Sequence, residues 1–217
     1  MQVASRTEVG HVRRRNEDSL LVDEPTGVLA VADGLGGHPC GDLASQTAVA
    51  ALRDAVAGGP PEDSDTGEWL TSALLVAHRA VLAEAGDDPD RQGMATTVVL
   101  AAVADGEAII AHVGDSRAYL LADGALQPLT RDHGMGGYIT QALGLDRLIA
   151  PDVVRVNSLA PGDRLLLCTD GLTNMVDDRG IALLLAEGDV RQATDALVEE
   201  ALANGGIDNV TVIVVEV

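Results

Sequence analysis

Val28-Leu29-Ala30-Val31-Ala32-Asp33-Gly34-Leu35-Gly36-Gly37-His38 is an unbroken apolar run that ends on a carboxylate and then on glycines. Such a run reads as a strand. It delivers Asp33 to the strand's end, and Gly34, Gly36 and Gly37 then permit a tight turn in which backbone carbonyls can approach a cation. The same placement recurs where residues 109–113 lead into Gly114-Asp115 and where 165–169 lead into Asp170-Gly171. Asn16-Glu17-Asp18 and Asp208-Asn209 add two more carboxylate-bearing turns beside apolar runs. Carboxylates gathered by a fold repel one another and take up protons unless a hard divalent cation, which chooses oxygen ligands, offsets their charge. A shared metal centre is the reading that these motifs support.

Outward from that stretch, residues 20–22 and 28–32 read as a hairpin across Pro25-Thr26-Gly27. Residues 41–56 carry Leu43, Ala44, Ala48, Ala51, Leu52, Ala55 and Val56 at helical spacing and stop at Gly58-Gly59-Pro60-Pro61. An acidic loop over 62–67 leads to a second helix over 68–85, with Trp69, Leu70, Ala73, Leu74, Ala77, Ala80 and Val81 on its apolar face. Three strand-like runs follow at 96–103, 107–113 and 117–121, read as an antiparallel meander, with Asp105-Gly106 and Asp123-Gly124 as turns that place Gly at positive φ. Residues 153–159 and 163–169 are two further strands about the turn Pro161-Gly162-Asp163. Helices are expected over 178–186, capped by Asp177 or Asp178, and over 190–204, with a last strand over 210–217. Strands grouped around helix pairs without βαβ alternation indicate an α+β fold with helices covering antiparallel sheets.

With 217 residues, 47% of them apolar, the chain can bury a sizeable core and is expected to form one domain over 1–217. The net charge of −20 excludes nucleic acid and anionic membrane surfaces as partners, since both are polyanions. Most of that charge belongs to a solvated surface. Fourteen Arg stand with no Lys, and Phe is absent; nothing in the fold requires either. Cys40 and Cys168 lack metal-ligand spacing, and Cys168, inside Leu165-Leu166-Leu167-Cys168, reads as a small buried hydrophobe. No apolar stretch reaches the roughly 18 uncharged residues of a membrane span. The expectation is a stand-alone, cytoplasmic, monomeric protein.

In order along the chain stand Arg13-x-x-Asn16-Glu17-Asp18-Ser19, Asp33-Gly34-Leu35-Gly36-Gly37-His38, Gly93-Met94-Ala95-Thr96-Thr97, Gly114-Asp115-Ser116-Arg117, Cys168-Thr169-Asp170-Gly171-Leu172 and Asp208-Asn209-Val210-Thr211. The set spans residues 13 to 211 and resembles the metal-dependent serine/threonine protein phosphatases of the PPM, or type 2C, class. Each motif is weak by itself; the ordered set is specific. The resemblance implies a four-layer α-β-β-α sandwich, two central antiparallel sheets flanked by helices, with a metal cleft at one edge. It implies two core Mn²⁺ or Mg²⁺ ions bridged by Asp33, the Gly34 carbonyl completing one shell and Asp170 and Asp208 holding the other ion. Glu17 and Asp18 act largely through bound waters, and Asp115, with Asp170, holds a third, weaker ion. Hydrolysis is then direct and in line, by a metal-activated bridging water, with no phosphoenzyme.

Arg13 is placed to clamp phosphoryl oxygens with its planar fork. The proton donor to the leaving alkoxide is the open role. In many eukaryotic members it is a His two residues after the bridging Asp, a position held here by Leu35. His38 is the bacterial-type candidate, its alternative role being to order the metal loop. His112, inside a strand, reads as packed rather than catalytic, and His133 lies in a loop near the site without a role. Bacterial relatives carry a flap between a Thr-x-Asp-His motif and a Leu-Thr-x-Ala-Leu-Gly motif. Here only Gly134-Met135-Gly136-Gly137 separates Thr130-Arg131-Asp132-His133 from Tyr138-Ile139-Thr140-Gln141-Ala142-Leu143-Gly144, so the resemblance is to a short member that lacks the flap.

The expected partners are phosphoproteins bearing phosphoserine or phosphothreonine, and a bacterial Ser/Thr kinase whose substrates the enzyme resets. Two other readings stand beside this one. A catalytically silent binding module with the phosphatase fold would have lost Asp33, Asp170 or Asp208, all of which are present. A phosphatase dedicated to an anti-sigma-factor antagonist would use the same site.

Overall fold

A computed structural model of the chain describes residues 1–35, 40–135, 138–145 and 148–217. In chain order the strands are β1 (Gln2–Glu8), β2 (Asp18–Asp23) and β3 (Val28–Asp33), followed by helices α1 (Gly41–Val56) and α2 (Thr66–Ala85). Then come β4 (Val98–Ala104), β5 (Glu107–Val113), β6 (Arg117–Ala122), β7 (Ala125–Pro128), the short pair β8 (Gly134–Met135) and β9 (Tyr138–Ile139), β10 (Asp152–Val156) and β11 (Arg164–Cys168). Helices α3 (Asp170–Thr173), α4 (Asp178–Ala186) and α5 (Val190–Ala203) precede the last strand, β12 (Val210–Glu216).

Two five-stranded antiparallel sheets form the centre, one in the order β1-β12-β11-β6-β7 and the other in the order β10-β5-β4-β3-β2. Period-two alternation builds the layers. In β3, Leu29 and Val31 face the opposing sheet while Val28, Ala30 and Ala32 face α1 and α2. In β12, Ile213 and Val215 meet the other sheet while Val210, Val212 and Val214 pack under α4 and α5. Because both faces are covered, these strands read as continuous apolar runs rather than as alternating ones. The four-layer α-β-β-α sandwich expected from the motifs is the observed architecture. Among the described residues, no helix is long and apolar enough to cross a membrane.

Several local expectations are met. Helix α1 has its predicted bounds, Asp177 caps α4 by accepting from the Gly180 N–H, and Cys168 is fully buried. Both hairpin turns place two successive residues at positive φ, Asp105 at 52° with Gly106 at 76°, and Asp123 at 50° with Gly124 at 74°. The predicted meander is corrected. β4 and β5 pair, but β6 leaves for the other sheet, where it lies between β11 and β7. The change of sheet occurs at residues 114–116, where Gly114 adopts φ 111° and a side chain would collide with Thr97. Likewise β10 pairs with β5 and β11 with β6 and β12, so Pro161-Gly162-Asp163 links two sheets rather than closing a hairpin. β1 and β7 show no strand pattern in the sequence because both are exposed edge strands with mixed polar residues.

Arg164, 8% exposed, ties the far end of the sandwich together. Its guanidinium donates to Glu216 Oε2 at 2.8 Å from Nε and to the Leu185 carbonyl at 2.7 Å, and also reaches the Glu187 and Gly188 carbonyls at the end of α4. Removing the guanidinium leaves Glu216 and the buried Leu185 carbonyl contact without a donor, at about 3 kcal/mol. Arg164→Met should therefore lower the melting temperature by roughly 9 °C, read by circular dichroism.

Candidate metal centre

One edge of the sandwich collects the acidic motifs because strand register brings their ends level. Asp18 at the start of β2 is paired with Asp33 at the end of β3. In the other sheet Cys168 stands opposite both Val212 and Arg117, so Asp170, Asp208 and Asp115 all lie just beyond that rung. Backbone hydrogen bonds then fix the loops. The Asp33 carbonyl accepts from the Thr97 N–H and the Thr96 hydroxyl, each at 2.8 Å, and the Asp33 N–H donates to Thr97 Oγ1 at 3.2 Å. The Gly34 N–H donates to the Glu17 carbonyl at 3.1 Å, and a Cβ at Gly34 would run into the Gly41 and Glu17 carbonyls, which is why that position takes no side chain.

Asn209 latches the first motif onto the last. Its Oδ1 accepts from the Glu17 N–H at 2.8 Å, and its Nδ2 donates to the Val9 and Arg15 carbonyls, each at 2.8 Å. Asp18 is buried, and its Oδ2 accepts from the hydroxyls of Thr169 at 2.9 Å and Thr211 at 2.7 Å. Sequence reasoning quoted Asn209, Thr97, Thr169 and Thr211 inside their motifs but gave them no task. Motif membership was the only signal, since their work lies in contacts between distant segments.

The electrostatics follow from crowding. Burial is the largest influence raising the Asp33 carboxyl well above its usual range, and Asp18, Asp170, Asp208 and Asp115 add to it. Asp18 is pushed up to about 7, by burial first and by Asp170 and Asp208, against the pull of its two threonine hydroxyls. Asp170 is raised by burial and by Asp208, while the Asn174 amide, donating to its Oδ2 at 3.0 Å, works against the shift. Asp115 rises to about 6 through burial and the nearby Asp170. Arg13 donates to Asp208 Oδ2 at 2.7 Å and lies 3.8 Å from Glu17 Oε2, and the Asp208 hydrogen bond holds its guanidinium more firmly protonated. The arrangement thus brings Arg13, Glu17, Asp18, Asp33, Gly34, Asp115, Asp170 and Asp208 to one edge. His38 lies outside the described residues.

Whether these residues suit a cation is tested by one atom. Asp18 Oδ1 is buried and, among the described residues, has no hydrogen-bond partner. A carboxylate oxygen only accepts, so burying it beside other carboxylates is costly unless a positive charge faces it. Oxygen-only donors and mutual repulsion match a hard divalent ion.

A sandwich of two antiparallel sheets with a carboxylate-lined edge is the class that fold and site define, and the match extends to the sequence: the family model for protein phosphatase 2C covers residues 10–204. The chain belongs to the protein phosphatase 2C family. It is 34% identical to the serine/threonine phosphatase stp of Listeria monocytogenes, over 100% of this chain and 96% of that protein. That alignment runs to 244 positions, more than the 217 residues of this chain, so the relative carries residues that this chain lacks. It is 35% identical to the serine/threonine protein phosphatase PstP of Mycobacterium tuberculosis, over 100% of this chain and 45% of that longer protein. The crystal structure of the PstP catalytic domain in complex with two manganese ions superposes with a TM-score of 0.89 at 35% identity, covering 99% of this chain and 97% of that one.

Proposed function

We propose that this chain is a metal-dependent phosphatase that hydrolyses phosphoserine and phosphothreonine esters in proteins. The observation that carries the reading is the convergence of five mutually repelling carboxylates at one edge of the sandwich, with Asp18 Oδ1 buried and unpartnered there among the described residues. In this proposal Asp33 would serve both of two Mn²⁺ or Mg²⁺ ions, the Gly34 carbonyl would join one of them, and Asp170 and Asp208 would hold the other. Glu17 and Asp18 order coordinated waters, and Asp115 with Asp170 takes a weaker third ion. Such a pair supplies hydroxide near neutral pH and offsets the charge of an in-line displacement at phosphorus.

The protein's own groups do the rest. Arg13, on the cleft wall beside Asp208, has further N–H groups with which to bind phosphoryl oxygens and hold the ester for attack. Thr169 and Thr211 keep Asp18 from rotating, and Thr96 and Thr97 keep the Asp33 carbonyl fixed, so the cluster is set before substrate arrives. Where the relatives' flap is expected, β8 and β9 pair, with Met135 and Tyr138 exposed. A site without a flap should accept small aryl phosphates and phosphopeptides with little sequence preference, and strong discrimination among graded phosphopeptides would count against that. The physiological setting that suits the reading is the cytoplasm, opposite a Ser/Thr kinase.

Phosphate release from a phosphothreonine peptide, with Mn²⁺ and then with EDTA, tests the function. Turnover should fall on the order of a hundredfold or more in EDTA and return with Mn²⁺. Activity indifferent to chelation would refute it.

A further inference from the structure

His133, which the catalytic reading leaves without a task, grips the residue before Asp115 by both of its backbone polar groups. Its N–H donates to the Gly114 carbonyl at 2.9 Å, and the Gly114 N–H donates to its Nδ1 at 3.2 Å. Gly114 is the sheet-switching residue at φ 111°, with Thr97 against its other side. A ring nitrogen that accepts carries no proton, so the His133 proton sits on Nε2, where it is donated to Asp152 Oδ2 at 3.2 Å. His112 stacks on the same ring, centroids 4.6 Å apart and planes inclined by 19°, and its Nε2 pairs with the Arg131 carbonyl at 3.0 Å. Three elements thus converge on one turn: β5 through His112, β10 through Asp152, and the segment after β7 through His133.

The same three side chains invite a metal reading, since each offers an atom within 4.8 Å of the others and His112 Nδ1 is buried with no partner among the described residues. Two features count against it. Nearly parallel stacked rings send their in-plane lone pairs side by side rather than to one point. The Nδ1 lone pair of His133 is also already engaged by Gly114, so binding an ion through Nε2 would require the other tautomer and the loss of that hydrogen bond.

We propose that His133 is a positioning residue for Asp115, acting through the Gly114 backbone, and that Asp152 fixes its tautomer. The inference rests on the proposed phosphatase function, in which Asp115 serves a third ion. A turn held at φ 111° with one residue on both its donor and its acceptor, through that residue's ring Nδ1 and its backbone N–H, has little freedom, and Asp115, the next residue, feels the charge of Asp170. Loss of the ring's half of that grip, the backbone half remaining, should loosen Asp115 without touching Asp33 or Asp208.

The test uses the full chain with Mn²⁺ and a phosphothreonine peptide. His133→Ala should lower kcat about tenfold, leave KM within about twofold and raise the Mn²⁺ concentration needed for half-maximal rate. His133→Asn, whose amide oxygen can sit where Nδ1 does, should stay within about threefold of wild type. In an Asp115→Asn background His133→Ala should cost less than about twofold, because residues acting as one unit are not additive. Equal costs in both backgrounds, or no rescue by Asn in folded protein, would overturn the proposal. So would bound Mn²⁺ that falls by one full ion in His133→Ala but not in Asp115→Asn. The ring tautomer gives a readout independent of activity: nitrogen-15 spectra should show His133 protonated on Nε2, a mixture appearing in Asp152→Asn, and an Nδ1–H tautomer in the wild type would contradict the inference. A wild type with no metal-dependent turnover would refute the function instead, leaving the tautomer result to judge the positioning.

Discussion

Asp33→Asn is expected to lower kcat on the order of a thousandfold while leaving the protein folded, and in EDTA to make it more stable than wild type. Both effects have one cause. Asp33 is the residue whose carboxyl is raised by burial and by four other acids, so its ionised form is held against its own preference. That arrangement serves a cation and costs the protein when none is bound. The amide is nearly isosteric and uncharged, and the Asp33 backbone contacts to Thr96 and Thr97 are untouched by the change. Most substitutions destabilise, so a higher melting temperature paired with lost turnover would be a signature of charge relief rather than of damage. Asp170→Asn should behave in the same sense. If Asp33→Asn kept half the wild-type rate, the bridging role would be wrong.

Acidification of the metal-free protein is the second expected result of large effect. A carboxyl whose folded pKa lies above its unfolded value binds more protons in the folded state, so stability falls as pH rises between the two and the penalty is complete above the folded pKa. Asp18, pushed from an ordinary 3.8 to about 7, places that window between about 4 and 7, and Asp115, at about 6, lies inside it. Between pH 7.5 and pH 6 Asp18 contributes about 1 kcal/mol, so the melting temperature in EDTA should rise by roughly 3 °C on acidification. With saturating Mn²⁺ the trend should reverse, because protons then compete with the ion for the same oxygens. Parallel trends in EDTA and in Mn²⁺ would show that the cluster does not govern the dependence.

Much of this molecule is legible before any coordinates. Helix α1 could be bounded from sequence because its apolar spacing ends in Gly58-Gly59-Pro60-Pro61, and the carboxylates could be found because each stands beside one end of an apolar run. What could not be read was which sheet a strand joins. Asp105-Gly106 and Gly114-Asp115 look alike as turn signals, yet the first closes a hairpin with two residues at positive φ and the second sends β6 into the opposite layer. β1 was hidden for another reason: Arg6 faces Asp195 and Glu199 of α5, so a strand that covers a helix with charge shows no apolar alternation. The site was legible in its acids and illegible in their supports. Thr169, Thr211 and Asn209 act across 151, 193 and 192 residues of chain, distances over which spacing carries no information. Arg13 shows the limit from the other side, since the sequence that suggests a phosphoryl clamp gives no sign of its hydrogen bond to Asp208.

The central claim is that Asp33, Asp170 and Asp208 form a two-ion site, and anomalous diffraction from crystals soaked in Mn²⁺ reads it directly. Two peaks are predicted, both in contact with Asp33 and one of them also with Asp170 and Asp208. A map with no peak at Asp33, or with manganese only at His112, His133 and Asp152, would contradict it.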